Sequence, residues 1–114
     1  MKFNTDDYKV WDDENQTVHI EGSLRLGSSK EYAFITNLLH DVLKESDNKK
    51  IDIDLSQLIF LNSSGINILS KFAIYVRKQG AITFSVKGSK SIPWQGKSLP
   101  NLKKLYPALE LEFT

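Results

Sequence analysis

Short segments with an apolar residue at every second position recur along this chain, and longer segments with apolar residues three and four positions apart separate them. The clearest short segment runs from Ile51 to Leu55, where isoleucine and leucine alternate with aspartate. Such alternation predicts a half-buried β-strand, whereas the longer spacing predicts an amphipathic helix. Strands separated by helices need crossover connections, so the pattern predicts an α/β fold with a mixed, mostly parallel sheet and helices packed against it.

The element order that follows is β-β-α-β-α-β-α-β, with a sheet of about four to five strands. A polar turn at Asp12–Asn15 joins the first two strands into a hairpin. Ser28 or Ser29 is the expected N-cap of the first helix, and Ser98 that of the last. The predicted strands lie around Tyr8 and Val10 and at Thr17–Glu21, Ile51–Leu55, Ala81–Val86 and Leu109–Phe113; the predicted helices lie at about 30–45, 65–79 and 98–106, with a loop at 88–96.

Composition excludes several classes of function. The 114 residues are enough for one domain, 1–114. Lys plus Arg is 15 and Asp plus Glu is 14, so the net charge of +1 argues against nucleic-acid binding and against a polybasic membrane anchor. With no cysteine there is no disulfide, thiolate metal site or cysteine nucleophile. No run is apolar enough for membrane insertion or for a secretory signal, so we expect a cytoplasmic protein. Because the composition offers few catalytic residues, we expect a protein that binds or switches without catalysis or cofactor.

One segment combines a strand end with a helix start. Asp54-Leu55-Ser56 closes the alternating strand, and Phe60-Leu61 leads into Asn62-Ser63-Ser64-Gly65-Ile66. Asn and Ser oxygens at this point accept hydrogen bonds from the free N–H groups of the first helical turn. Glycine there permits close packing or a special backbone angle. The same geometry tolerates a phosphate, because a helix N-terminus favours negative charge.

This segment resembles the central motif of STAS domains, the anti-sigma-factor antagonist family, and the resemblance extends over roughly residues 8–90. It implies a bacterial partner-switching protein of transcription control. A serine kinase or anti-sigma factor with a histidine-kinase-like ATPase fold would be its partner, and a PP2C-type phosphatase would reverse the phosphorylation. The implied phosphoacceptor is Ser63, with Ser64 as the neighbouring hydroxyl. The predicted partner surface consists of Asn62, Ser63, Ser64, Gly65 and Ile66, and Trp94 would join it as an anchor if its ring is exposed.

The sequence departs from the family pattern at Asn62, where the family usually has aspartate. Asparagine is still a good N-cap, and some related switch proteins have Asn before the acceptor. The departure leaves a second interpretation open, an unphosphorylated scaffold subunit of a transport or signalling complex.

Three other features of the sequence have a structural as well as a functional interpretation. Gly96-Lys97-Ser98 resembles the end of a P-loop, but Ser91 stands where the first glycine belongs and Pro93 has no N–H to offer a phosphate. Trp94 either pins this loop over the core or anchors a partner. His19 and His40 share no ligand spacing, and the carboxylates of Asp52 and Asp54 have no accompanying nucleophile, so no metal or catalytic site is predicted.

Overall fold

The computed structural model describes residues 2–114, which form one seven-stranded sheet and four helices. The strands are β1 (Lys2–Asn4), β2 (Tyr8–Asp12), β3 (Thr17–Leu24), β4 (Lys50–Asp54), β5 (Leu58–Leu61), β6 (Thr83–Gly88) and β7 (Glu110–Phe113). The helices are α1 (Ala33–Glu45), α2 (Ser63–Gln79), α3 (Pro93–Ser98) and α4 (Pro100–Leu105).

The sheet combines an antiparallel part with a parallel part. β1, β2 and β3 pair antiparallel, and the order continues in parallel through β4, β6 and β7. β4 and β5 lie one after the other along the same side of β3, since Thr17–His19 pair with β4 and Gly22–Leu24 with β5. The residues that follow β3 therefore lie beside those that follow β5.

The change of partner along β3 lies at Gly22, where the register with β5 shifts and leaves Ile59 of β5 without a partner residue. The φ of Gly22 is 94°, and a Cβ atom there would lie 2.3 Å from the carbonyl oxygen of Asp7. A side chain is therefore excluded both by the backbone angle and by space. The predicted strand ends at Glu21, but β3 continues to Leu24.

The helices cover one face of the sheet, where the apolar members of each alternating strand point. Ile51, Ile53, Phe84 and Val86 are buried, whereas their neighbours Asp52, Asp54 and Ser85 on the opposite face are half-buried. The buried stripes of α1 and α2 and the apolar residues of α4 belong to the same core cluster. This cluster holds Ile35, Leu38, Leu39, Val42 and Leu43 from α1, Ile68, Leu69, Phe72, Ala73 and Val76 from α2, and Leu102 from α4.

The mixed α/β fold predicted from the sequence is confirmed, and the differences are local. The sheet has seven strands instead of four to five, because β1 has only three residues and β5 does not alternate. α1 begins at Ala33 without a side-chain cap, since Ser28 accepts backbone hydrogen bonds in a preceding turn. The predicted loop at 88–96 contains the start of α3, and Ser98 ends α3 and does not cap α4.

Within residues 2–114, no helix is both long enough and apolar enough to cross a bilayer.

Candidate functional site

The turn from β5 into α2 is built around the side chain of Asn62. Asn62 has extended backbone angles, φ −79° and ψ 175°, and is the N-cap of α2. Its Oδ1 accepts a hydrogen bond from the backbone N–H of Gly65 at 3.1 Å. Its carbonyl oxygen accepts the first helical bond, from Ile66 at 3.0 Å. The predicted capping role of Asn62 is therefore present, and the helix begins at Ser63, two residues before the predicted start.

The same carboxamide also ties α2 to the segment between β3 and α1. Tyr32 Oη donates to Asn62 Oδ1 at 2.6 Å, and Asn62 Nδ2 donates to the carbonyl oxygen of Leu26 at 2.8 Å. The backbone N–H of Asn62 donates to Leu24 at 3.2 Å. An ionised aspartate accepts hydrogen bonds only, so it cannot make the bond to Leu26. Asparagine at this position has a structural reason that is independent of regulation.

Tyr32 is the buried support of this turn. Its side chain is 0% exposed, and burial raises the pKa of its phenol above the usual value. The hydroxyl consequently remains protonated at neutral pH and donates to Asn62. The sequence does not indicate this role of Tyr32, because Tyr32 and Asn62 are 30 positions apart and only the fold brings them together.

Gly65 is buried against the residues that precede and support the turn. A Cβ atom there would lie 2.2 Å from Leu61 Cδ1 and 3.0 Å from Tyr32 Oη. The close packing expected of this glycine is confirmed, and it allows the first turn of α2 to lie directly on Leu61 and Tyr32.

The two serines of the motif differ in exposure. Ser63, the first residue of α2, is exposed, and Ser64 is half-buried. Within residues 2–114, neither hydroxyl takes part in a hydrogen bond, because Asn62 supplies the capping oxygen. The first turn of α2 contains no acidic residue, and Arg77 and Lys78 lie in its last turn. A hydroxyl at position 63 is thus open to solvent at the positive end of a 17-residue helix.

Exposed apolar residues lie immediately before the serines. Ile59 is 58% exposed and Phe60 is 37% exposed, which is unusual for such large side chains in a strand. The guanidinium carbon of Arg25 lies 4.5 Å from the centroid of the Phe60 ring, a cation–π contact between the ends of β3 and β5. Ile66 is half-buried and packs against the core. We call Arg25 and Phe60 the β5 shelf.

The structure does not bring Trp94 to this end of β5. Trp94 is half-buried, and its Nε1 donates to the carbonyl oxygen of Leu58 at 3.2 Å, at the start of the strand. It pins α3 over the core, which was one of its two predicted roles. A role for Trp94 in partner binding stays a prediction.

Gln95, beside Trp94, is a buried polar residue that the sequence analysis missed. Its Nε2 donates to Leu55 at 2.6 Å and Leu58 at 3.0 Å, and its Oε1 accepts from the backbone N–H of Ser89 at 2.7 Å. Its side chain is 0% exposed. Gln95 thereby satisfies the backbone groups of the turn between β4 and β5. The sequence shows Gln95 only as a polar residue within the P-loop-like segment and does not indicate this role.

The P-loop-like segment is helical. Gly96, Lys97 and Ser98 form the second half of α3, so their N–H groups are not arranged in a loop around an anion. The geometry of a nucleotide-binding loop is therefore absent at this segment, and the interpretation as a nucleotide site is wrong.

The histidines lie in two different environments. His19 Nε2 lies 2.8 Å from Asp13 Oδ2, and its Nδ1 lies 3.5 Å from Asp54 Oδ2. Burial opposes ionisation of Asp13, but hydrogen bonds from His19 and from the backbone of Thr17 and Asn15 hold its pKa below the usual value. The sequence did not predict that His19 meets acidic residues. Within residues 2–114, no group of three or more His, Cys, Asp or Glu side chains has the arrangement of a metal site.

His40 lies between α1 and α2. Its ring is edge-on to Phe72, at 5.5 Å between centroids, and to Tyr75, at 4.2 Å. Burial lowers the pKa of His40 below its usual value, and Asp41 opposes this shift. It is a half-buried aromatic contact between the two helices.

Asp54 ends β4 as predicted. Its Oδ1 accepts hydrogen bonds from the backbone N–H of Ser56 at 2.9 Å and from the Ser56 hydroxyl at 2.6 Å. Asp52 instead accepts a hydrogen bond from the Ser85 hydroxyl and lies 3.4 Å from Lys50 Nζ. Each carboxylate thus has its own polar partners in the sheet.

Comparison with known proteins identifies the fold. The sequence matches no protein-family model, and no curated protein gives a significant match. The crystal structure of the diguanylate cyclase SiaD in complex with its activator SiaC from Pseudomonas aeruginosa aligns over 100% of this chain and 99% of the matched chain, with a TM-score of 0.73 and 11% identity. A structure of SiaC from the same organism aligns over 100% of this chain and 96% of the matched chain, with a TM-score of 0.68 and 12% identity. The chain therefore has a SiaC-like fold.

Proposed function

We propose that this chain is a partner-switching regulator that binds a signalling protein beside the N-terminus of α2 and releases it when Ser63 is phosphorylated. One observation carries the proposal: the Ser63 hydroxyl is exposed and makes no hydrogen bond within the described chain, residues 2–114. A kinase can reach it without breaking the cap, because Asn62 performs the capping. Ser64 is half-buried and is the less accessible acceptor.

Phosphorylation at this point changes the surface and leaves the fold intact. A phosphoserine has about −1.5 to −2 charges at neutral pH, which a helix N-terminus tolerates. The bonds of Asn62 to Tyr32, Leu26 and Gly65 do not involve the Ser63 side chain. A partner surface that packs on the β5 shelf beside Ser63 would instead meet a new, desolvated negative charge. The phosphate would act by breaking the interface.

The fold supports an enzyme as the partner, because SiaC activates the diguanylate cyclase SiaD. The proposed protein would accordingly activate a diguanylate cyclase or a related signalling enzyme, with no catalysis of its own. The STAS resemblance adds the modifying enzymes, a serine kinase with a histidine-kinase-like ATPase fold and a PP2C-type phosphatase. A serine kinase or anti-sigma factor as the regulated target is the second candidate, supported by the motif at 54–66. The scaffold alternative rested on Asn62, which the contact with Leu26 explains structurally.

The test is phosphorylation of the full chain by the serine kinase encoded beside its gene, followed by mass spectrometry. We expect modification at Ser63 in the wild-type protein and in the Ser64→Ala control, and none in Ser63→Ala. Labelling of Ser63→Ala as strong as that of wild type would exclude the site.

The second arm is partner affinity. Ser63→Asp should weaken the complex at least tenfold while its circular dichroism and unfolding midpoint match those of wild type. An unchanged affinity in phosphorylated wild-type protein would exclude release as the mechanism.

A further inference from the structure

A groove lies between the exposed sides of α1 and α2, outside the turn that holds Ser63. Its volume is about 290 Å³, and its walls are mainly apolar and aromatic. Ala33 and His40 contribute from α1, and Ile68, Phe72 and Tyr75 contribute from α2.

One end of the groove is aromatic. The His40 ring packs edge-on against Phe72 and Tyr75, and Tyr75 is nevertheless 37% exposed. Because burial lowers the pKa of His40, its ring is neutral at physiological pH and contributes an apolar surface. The exposed Tyr75 ring, with the half-buried His40 ring beside it, is a good contact for an apolar anchor residue.

The groove has a single formal charge. Lys71 is exposed and lines the wall, no carboxylate lines it, and Lys71 forms no ion pair within residues 2–114. α2 contains no acidic residue along its whole length. The electrostatic complement of this surface is thus an apolar segment with a negative charge beside Lys71.

We propose that the groove binds about two turns of an amphipathic helix of the partner protein, with apolar anchors between α1 and α2 and a carboxylate facing Lys71. The distance from Ala33 to His40 along α1 is about 10 Å, which matches two helical turns at 1.5 Å per residue. Helices commonly bind in such grooves through apolar residues at i, i+3 or i+4 and i+7.

The groove is continuous with the proposed switch. Ser64 and Ile68 are four residues apart and therefore lie on the same side of α2, so the groove begins one turn after the serines. A phosphate on Ser63 would repel an acidic helix docked there. This inference rests on the proposed function for the existence of a partner, but it identifies a separate contact surface.

Photo-crosslinking locates the occupant. A benzophenone amino acid replaces Thr36, which lines the groove, and in the control protein it replaces Glu112, on the far edge of the sheet. We expect crosslinks from position 36 to map to a partner helix that contains at least one Asp or Glu. Crosslinks to a second copy of this chain or to lipid, or a yield equal to that at position 112, would overturn the proposal.

Charge reversal tests the electrostatic contact. Lys71→Glu should weaken the complex at least tenfold, and Lys78→Glu, an exposed cation of the same helix that does not line the groove, should change affinity less than twofold. Replacing the acidic residue of the crosslinked partner helix by lysine should raise the affinity of that partner for Lys71→Glu at least fivefold. Equal effects of the two lysine variants would overturn the proposal.

The two proposals can fail separately. If Ser63→Asp releases the partner but Lys71→Glu does not, the switch holds and the groove assignment is wrong. If Lys71→Glu weakens the complex while phosphorylation of Ser63 leaves it intact, the groove assignment holds and the switch is wrong.

Discussion

Asn62 shows how one side chain can unite a helix cap with a tertiary contact. Its carboxamide accepts bonds from Gly65 and Tyr32 and donates one to Leu26. The cap could be predicted from the sequence, because it depends on neighbours within three residues. The donor function could not, because Leu26 is 36 positions away. A departure from a family pattern is therefore informative only once the contacts of the new side chain are known.

We predict that Asn62→Asp destabilises the protein at pH 7. The carboxylate keeps the cap but faces the Leu26 carbonyl oxygen without a proton to donate, and a lost hydrogen bond with an unsatisfied partner costs about 1–3 kcal/mol. Urea unfolding measures the change. Asn67→Asp, at an exposed position of α2, is the control and should stay within about 0.5 kcal/mol of wild type. Equal stability of Asn62→Asp and wild type would contradict the assigned bond.

Gly65 allows a matched glycine test. Gly65→Ala places a methyl group 2.2 Å from Leu61 Cδ1 and should destabilise the protein by about 1–3 kcal/mol, despite the better helix propensity of alanine. Gly96→Ala, within α3, has no atom within 4 Å of the new Cβ and should be neutral or slightly stabilising. Thermal unfolding of both variants checks the difference. Equal unfolding midpoints would show that the Leu61 side chain moves aside at little energetic cost.

At the scale of elements, the interruption between β4 and β5 positions the motif. β4 and β5 would form one continuous strand beside β3 if residues 55–57 did not interrupt it. The backbone groups at this interruption need hydrogen-bond partners from outside the sheet. Gln95 satisfies two carbonyl groups there and the N–H of Ser89. α3 thus acts as a clamp on the strand that leads into Asn62.

The clamp predicts a large effect of Gln95→Leu. The substitution removes three hydrogen bonds and leaves the backbone N–H of Ser89 without its acceptor, so we expect a loss of at least about 2 kcal/mol. Gln57→Leu, an exposed glutamine of the same turn, should cost less than about 0.5 kcal/mol. Denaturant titration compares the two. A Gln95→Leu protein as stable as Gln57→Leu would mean that water replaces the lost bonds.

The free energy of unfolding of the whole molecule should decrease as the pH falls, in two separate pH ranges. The pKa of His40 is lowered in the folded state by burial, so folding favours the neutral ring. This contribution is complete above the unfolded pKa of about 6.5 and is lost as the pH falls below it. The pKa of Asp13 is also lowered, because its hydrogen bonds outweigh its burial. Its contribution is complete above about pH 4 and is lost below that value.

Urea unfolding at pH 7 and pH 5 isolates the histidine contribution. Wild type should lose more stability between these two pH values than His40→Gln, which has no titrating group at this position. Every other side chain is unchanged in both proteins, so the remaining pH dependence cancels in the comparison. Identical losses would show that His40 does not contribute to the pH dependence.

The alternating strands, the amphipathic helices and the capping role of Asn62 could be predicted from the sequence, because they depend on residue periodicity and on neighbours a few positions away. The bonds of Asn62 with Leu26 and Tyr32, the bonds of Gln95 to the carbonyl groups of Leu55 and Leu58, and the groove between α1 and α2 beside Lys71 emerged only with the fold. These features join residues some 30 to 40 positions apart or depend on the gap between two packed helices. The physical reason is that hydrogen bonds and packing act through space, whereas periodicity acts along the chain.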